Sequence, residues 1–397
     1  MSLVPQSESE LAELIRAAAA RAAPLRLVGS DTKRALGRPS AGGAVSLAGF
    51  SGVTLYEPEE LVLTAGAATP RAEIEALLDA EGQELAFEPI DFGALYGSGS
   101  GTIGGLVATG ASGSRRIKAG ALRDHLLGFR CVTGRGEIVK SGGRVMKNVT
   151  GYDLSKLVAG SFGTLAALTE VTLKVLPKAE GEASLLVLGL DEPQSLAALR
   201  QATQAPLDAS SFAMLPAGSN PLRLATNAAA IRLEGPAISL DARRDALAKL
   251  LTHPACRFET LEAAASRALW RSLRDAEPVT QGPGQLWRVS LAPTDGAALL
   301  DRLRAAGAAP SAHFYDWAGG LVWLGFEPAA DAHAGALRPI VADLGGQATL
   351  IRADDAVRAR VGVFQPQPQA LAALSCRVKE SFDPAHILER GRLSAEY

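Results

Sequence analysis

The sequence predicts an α+β chain, and three observations predict it. Short apolar strand candidates alternate with amphipathic helical stretches from the first residues onward. Glycine-rich turns punctuate the first half, and Pro- and Gly-rich breaks at 216–221 and 278–284 punctuate the second. After residue 180 the texture changes to short strands separated by Ala/Leu/Arg-rich helices, as in a separate, smaller α+β domain. At roughly 100–200 residues per domain, a chain of 397 residues has room for two or three.

The opening segment reads as a helix. Ser7 and Glu10 have capping-box spacing, and Leu11, Leu14 and Ile15 recur at helical intervals up to Pro24. Leu25-Arg26-Leu27-Val28 is a short strand running into Gly29, and Leu61 to Ala65 is another. Thr69-Pro70 supplies an N-cap and first helical position, Ile74, Leu77 and Leu78 form one face, and Gly82 suits the exit. Leu126 to Thr133 and Ile138-Val139-Lys140 flank a Gly134–Glu137 turn as a hairpin, and alternation at Val171, Leu173 and Val175 marks a half-buried strand. Further on, strands are expected at 185–190, 230–234, 286–291 and 321–326, and helices at 194–204, 241–251, 296–306 and 367–381. No internal repeat is visible.

Composition removes several function classes. A net charge of −2, with 40 scattered Lys and Arg, lacks the basic face of a nucleic-acid binder. No apolar run reaches the 18 residues of a membrane span. Glu8, Glu10 and Glu13 occupy the stretch where a signal peptide wants a basic start and an apolar run, so a cytoplasmic protein is expected. Cys131, Cys256 and Cys376 are far apart, with no metal spacing, and cannot supply the four thiolates of an iron–sulfur cluster. No metal site is expected.

Residues 93–113 are packed with glycine, and Gly99-x-Gly101-x-x-Gly104 satisfies a dinucleotide fingerprint by letter. Its entry, Glu88-Pro89-Ile90-Asp91-Phe92-Gly93, is broken by proline and acid, and Asp124 does not end a second strand. A flexible linker fits poorly too, because Ile103, Leu106 and Val107 want burial. A third reading has two glycine loops lining one extended cofactor. Gly29-Ser30-Asp31-Thr32-Lys33 would form an anion-binding nest suited to a pyrophosphate. Thr102-Ile103-Gly104-Gly105 would be the second wall, its glycines admitting a flat ring or ribose.

A third stretch follows: Met146-Lys147-Asn148-Val149-Thr150-Gly151-Tyr152-Asp153-Leu154, then Gly160-Ser161-Phe162-Gly163-Thr164-Leu165 and Thr169-Glu170-Val171-Thr172-Leu173-Lys174. As an ordered set over residues 24–178, these motifs resemble the FAD-binding domain of the vanillyl-alcohol-oxidase (PCMH-type) flavoproteins. Within that superfamily they are most similar to the family of glycolate oxidase (glycolate dehydrogenase) FAD-binding subunits. Tyr315-Asp316-Trp317-Ala318-Gly319-Gly320 is a further match, with a buried aromatic strand as the plainer reading. The coda Phe382-Asp383-Pro384 to Gly391-Arg392 matches as well, but Glu389-Arg390 replaces the family's Asn-Pro.

The resemblance implies a PCMH-type domain of two α+β subdomains at 1–178, a cap-like α+β domain at 179–360, and a C-terminal segment, 361–397, packing back on the FAD domain. It implies non-covalent FAD. The pyrophosphate would lie at Gly29, Ser30, Asp31, Thr32 and Lys33, with Pro89 beside the cofactor entry. Pyrophosphate and flavin would run along Thr102, Ile103, Gly104 and Gly105, with Ala108, Ser112 and Gly113 on the flavin side. Main-chain groups of Glu170 and Val171 would meet the adenine. It implies oxidation of glycolate, a 2-hydroxy acid, to glyoxylate in a complex with a catalytic flavin subunit and an iron–sulfur subunit, a partner giving any attachment to the inner membrane. The alternatives are a free-standing FAD-dependent 2-hydroxy-acid dehydrogenase and a non-catalytic scaffold with a degenerate FAD site.

Such an oxidation needs a base, a cation for the carboxylate and a hydride acceptor at flavin N5. Arg115, Arg116 and Lys118 could grip a carboxylate or the N1 side of the flavin, or could form a solvated basic turn or a subunit contact. No base stands out: the five histidines (125, 253, 313, 333, 386) are isolated, and the histidine pair of the family's catalytic subunits has no counterpart near Gly345.

Overall fold

The computed structural model describes residues 3–143, 152–218 and 220–396, so Met146 to Gly151 lie outside the described residues. The chain forms two compact units: Met1–Ser112, Gly120–Lys178 and Pro366–Tyr397 make the first, Gly113–Ala119 and Ala179–Gln365 the second. The expected boundaries at 178 and 360 therefore need correction in two places. Residues 113–119 leave the first unit, and the last boundary falls at 365.

In the first unit, helix Glu8–Ala20 starts at Ser7, whose hydroxyl accepts from the Glu10 amide at 3.2 Å. The Glu10 carboxylate reaches back to the Gln6 amide (2.8 Å), one residue beyond the expected box. Leu11 and Ile15 of this helix pack with Leu25, Val45, Ile387 and Leu388 in one buried cluster. Strand Leu25–Val28 pairs in parallel with Gly43–Ser46, and on its other edge bridges Leu388, with Leu25 N donating to Ile387 O at 2.7 Å. A second cluster, built from Leu63, Ile74, Leu78, Ile103 and Val171, underlies a five-stranded antiparallel sheet. Its order is Val53–Glu57, Val62–Gly66, Ala166–Lys174, Leu126–Thr133, Ile138–Gly142. Helix Arg71–Ala80 is capped at Pro70, not Thr69, because the Thr69 hydroxyl is engaged with Gly66 O (2.7 Å) and the Gly52 amide (2.9 Å).

The second unit contains an eight-stranded antiparallel sheet. Its chain order is strand–helix–strand–strand–helix–strand from Gly181 to Glu262, and the same from Gln285 to Arg352. Both halves show the ferredoxin-like strand arrangement, and they join where Ala209–Leu215 meets Ala312–Asp316 through the pair Met214–Tyr315. This structural repeat corrects the expectation of none. Strands Ala209–Leu215, Arg257–Glu262, Ala312–Asp316 and Gln347–Arg352 were also not foreseen.

A charged network crosses the sheet of this unit. Arg232 Nη2 donates to Glu182 (3.0 Å) and lies 3.3 Å from Glu234, while Ser266 Oγ donates to Glu182 at 2.6 Å. Removing one member of a buried ion pair leaves its partner uncompensated. Glu182→Ala is therefore expected to cost about 3 kcal/mol of stability. Urea unfolding checks it, and an unchanged midpoint contradicts it.

Candidate cofactor crevice

Strand Leu25–Val28 delivers the chain into a crevice of the first unit that is open to solvent. Gly29, Ser30, Asp31, Thr32 and Lys33 all line it, as do Thr102, Gly104, Gly105 and Ala108. Nine of the expected site residues therefore share one crevice. Gly29 is dictated by close approach: a Cβ there would sit 2.7 Å from Thr102 Oγ1. Gly104 is dictated likewise, with a Cβ 2.7 Å from Ala67.

The polar character of the crevice comes mainly from the first loop. Asp31 adopts a left-handed conformation (φ 56°), and the amides of Ser30 to Lys33 donate to no group among the described residues. Such a run of free N–H groups is a ready anion cradle. Lys33 forms no ion pair among the described residues. Burial pushes its ammonium down to about 8, Arg71 adds to the effect, and Asp91 opposes it. A lysine with its charge disfavoured in this way gains from an anionic ligand. The second wall behaves differently. The amides of Ile103 and Gly104 already donate to Thr69 O (3.0 Å) and Ala67 O (2.8 Å), and Gly105 N donates to Thr102 Oγ1 (3.3 Å). Ile103 to Gly105 thus have their amides engaged and offer backbone for close packing.

Sequence reasoning missed the third wall. Ser161, Phe162 and Gly163 line the crevice, with Phe162 N donating to Ala108 O at 2.8 Å. So do Glu389 and Arg392 of the coda. Glu389 accepts from Leu27 N (2.7 Å) and Ser40 Oγ (2.8 Å), and burial raises its carboxyl above the usual range despite Arg392. Arg392 donates to Lys33 O (2.9 Å) and Arg34 O (3.2 Å), so the coda holds the far end of the Gly29–Lys33 loop. The motif residues Gly160 to Leu165 and the coda match were the available signals.

Other expected residues lie elsewhere. Ile103 is in the core, and Pro89 is buried, its carbonyl accepting from Arg71 at 3.4 Å. Glu170 and Val171 pair on both sides, with Gly66 and Ala65 and with Arg130 and Phe129, so their main chain is consumed by the sheet. Ala166 and Leu168, earlier on that strand, reach the crevice instead. Ser112 Oγ accepts from Leu122 N at 3.0 Å, away from the crevice lining.

Residues 113–119 belong to the second unit because its groups capture them. Gly113 O accepts from Trp317 Nε1 (3.2 Å), and Ser114 Oγ donates to Asp316 (2.7 Å). Arg115 makes a two-pronged bond to Glu234, one prong Nε to Oε2 at 2.9 Å. Desolvation raises the Glu234 carboxyl, but Arg115 and Arg232 outweigh it and hold it low. The guanidinium groups of Arg116 and Arg288 lie 4.8 and 5.0 Å from the Trp317 ring centroid, and Lys118 pairs with Asp208. Arg115 and Arg116 are thus used in docking this segment, which corrects their candidacy as a carboxylate grip. The Tyr-Asp-Trp signature acts here as its receptor, with Trp317 and Ala318 both left-handed (φ 51° and 54°).

The histidines have local roles: His125 packs against Phe87, and His313 Nε2 is 3.1 Å from Glu192. No histidine or cysteine is among the described crevice-lining residues.

This geometry is matched by what the chain is similar to. Residues 1–142 match the FAD binding domain family. The chain is 36% identical over 388 residues to glycolate oxidase subunit GlcE of Escherichia coli (strain K12), covering 97% of each chain. It is 33% identical over 188 residues to glycolate oxidase subunit GlcD of Bacillus subtilis (strain 168), covering 47% of this chain and 39% of that one. Among solved structures, an alkyldihydroxyacetonephosphate synthase shares the fold with a TM-score of 0.67 at 17% identity, covering 97% of this chain and 76% of that one. These likenesses make the chain a PCMH-type flavoprotein oxidoreductase whose cofactor is FAD. The chain belongs to the GlcE family of glycolate oxidase subunits.

The docked segment carries a direct check. Trypsin is expected to spare the Arg115–Arg116 and Arg116–Ile117 bonds in the wild type, and to cut them at least about tenfold faster in Trp317→Ala, which loses both cation–π contacts. Equal cutting rates would contradict the docking.

Proposed function

We propose that this protein is the FAD-binding subunit of a glycolate oxidase complex, which oxidises glycolate to glyoxylate and passes electrons to an iron–sulfur partner. The observation that carries the reading is the end-to-end likeness to a glycolate oxidase subunit, over 97% of both chains. The half-length likeness to a second glycolate oxidase subunit supports a catalytic flavin partner built on a related domain. Among the described residues, no helix is long and apolar enough to cross a membrane.

The FAD pyrophosphate is assigned to Ser30–Lys33, where free amides and the unpaired Lys33 ammonium meet it. Gly104 and Gly105 let the cofactor lie against the main chain, and Phe162, Gly163 and Glu389 form the facing wall. When bound, FAD supplies the hydride and electron acceptor. The chain's own residues bind and orient it. No histidine is among the described lining residues, and removal of the substrate proton is assigned to the catalytic partner.

The visible spectrum of the protein purified alone tests the cofactor assignment: a flavin band at one FAD per chain is expected. Colourless protein that takes up no FAD favours a scaffold, and glycolate or lactate turnover by the chain alone with an artificial acceptor favours a free-standing dehydrogenase.

Lys33 adds a pH test. In the free protein it loses its proton near pH 8, whereas the pyrophosphate holds it protonated. Binding above that pH therefore takes up a proton, and the FAD Kd is expected to rise with pH, by at most about tenfold per unit. Lys33→Met removes this dependence. A wild-type Kd flat between about pH 7 and 9.5, read by flavin fluorescence, contradicts the assignment.

A further inference from the structure

Helix Gln369–Phe382 is held in an unusual way. Its one fully buried residue is a lysine, Lys379, while Leu371 and Leu374 are exposed. Apolar burial therefore contributes little to fixing it. All three Lys379 donors are used: Nζ is 2.6 Å from Thr164 O, 2.6 Å from Asp383 Oδ2 and 3.0 Å from Leu388 O. Asp383 Oδ2 also accepts from Leu388 N at 2.8 Å. Lys379 is 1% exposed and Asp383 0%. The pair is hemmed in, since a Cβ on Gly134 would lie 2.4 Å from Asp383, and Arg135 Nε donates to Ser381 O at 3.1 Å.

What this pair holds matters more than the pair itself. Thr164 closes the Ser161–Gly163 turn, its hydroxyl donating to Ser161 O at 2.7 Å. Leu388 precedes Glu389 and bridges Leu25, the first residue of the strand Leu25–Val28 that leads to Gly29. Ser161–Gly163 and Glu389 both line the crevice. Burial lowers the Lys379 ammonium, and the charge of Asp383 opposes that loss. A buried ion pair is a poor means of adding stability compared with packed hydrocarbon, but a good means of fixing one geometry.

We infer that Lys379 and Asp383 are positioning residues of the cofactor crevice, joining its Ser161–Gly163 wall to its Glu389–Arg392 wall, so that FAD affinity depends on them. This rests on the crevice being the FAD site. Neither residue touches the crevice; each acts through the main chain it holds.

The test is an FAD titration of the full chain by flavin fluorescence, alongside apoprotein melting curves. Lys379→Met and Asp383→Asn are expected to weaken FAD by about tenfold or more, within the usual range of coupling between sites. Ile74→Val, in the core of the same unit, serves as the control for general loss of stability and is expected to bind as the wild type does. Wild-type affinity in folded Lys379→Met or Asp383→Asn overturns the inference, as does an equal loss of affinity in Ile74→Val. If both clamp variants fail to fold, hydrogen exchange of the wild type decides: FAD is expected to slow exchange at 161–164 and 388–392 together. No slowing there overturns the inference. A wild type that binds no FAD overturns the cofactor reading itself and the inference with it.

Discussion

The backbone at Gly29 passes so close to the side chain of Thr102 that a methyl group added there would lie 2.7 Å from its hydroxyl. Two loops far apart in sequence can meet at that distance only if one of them has no side chain at the crossing. Much of the first unit serves this approach. The parallel pair Leu25–Val28 and Gly43–Ser46 aims the first loop. Ala67 and Thr69 take up the amides of Ile103 and Gly104 and set the second. With the amides of Ile103, Gly104 and Gly105 engaged, the charge-bearing part of the crevice falls to Ser30–Lys33. That division of labour suits a ligand with an anionic centre and flat, weakly polar ends.

The C-terminal coda completes the same structure. Arg392 binds carbonyls at Lys33 and Arg34, and Glu389 binds the Leu27 amide, so the loop is held at both of its ends by residues from the last ten of the chain. The substitution of Glu389 and Arg390 for the family's Asn-Pro is accommodated in a specific way. The carboxylate takes a strand amide and the Ser40 hydroxyl, and stays in the crevice wall. In the second unit, the Arg115–Glu234–Arg232–Glu182 network and the Trp317 stack play a comparable part, capturing a seven-residue segment that is remote in sequence.

What was legible in the sequence follows a physical rule. Gly29, Gly104 and Gly105 were readable because close backbone approach demands glycine, and Lys33 because an anion cradle next to a strand end calls for a cation. The strands at Leu25–Val28 and Leu126–Thr133 were readable from apolar runs. Glu170 and Val171 were misplaced because sequence shows a strand but not its two neighbours, and both neighbours here consume the main chain. Arg115 and Arg116 looked free because their partners Glu234 and Trp317 are remote in sequence. The repeat in the second unit was invisible because a shared strand order needs only similar apolar alternation, not similar residues. Lys379 carries no sequence signal at all: on a helical wheel it is an ordinary lysine.

The most direct measurement is a crystal structure of the chain soaked or grown with FAD. The expected result is one FAD with its pyrophosphate oxygens against the Ser30–Lys33 amides and within about 4 Å of Lys33 Nζ, its rings running past Gly104–Gly105 and Phe162–Gly163. FAD density on another surface, or a pyrophosphate that leaves Lys33 and the four amides without an anion, would contradict it.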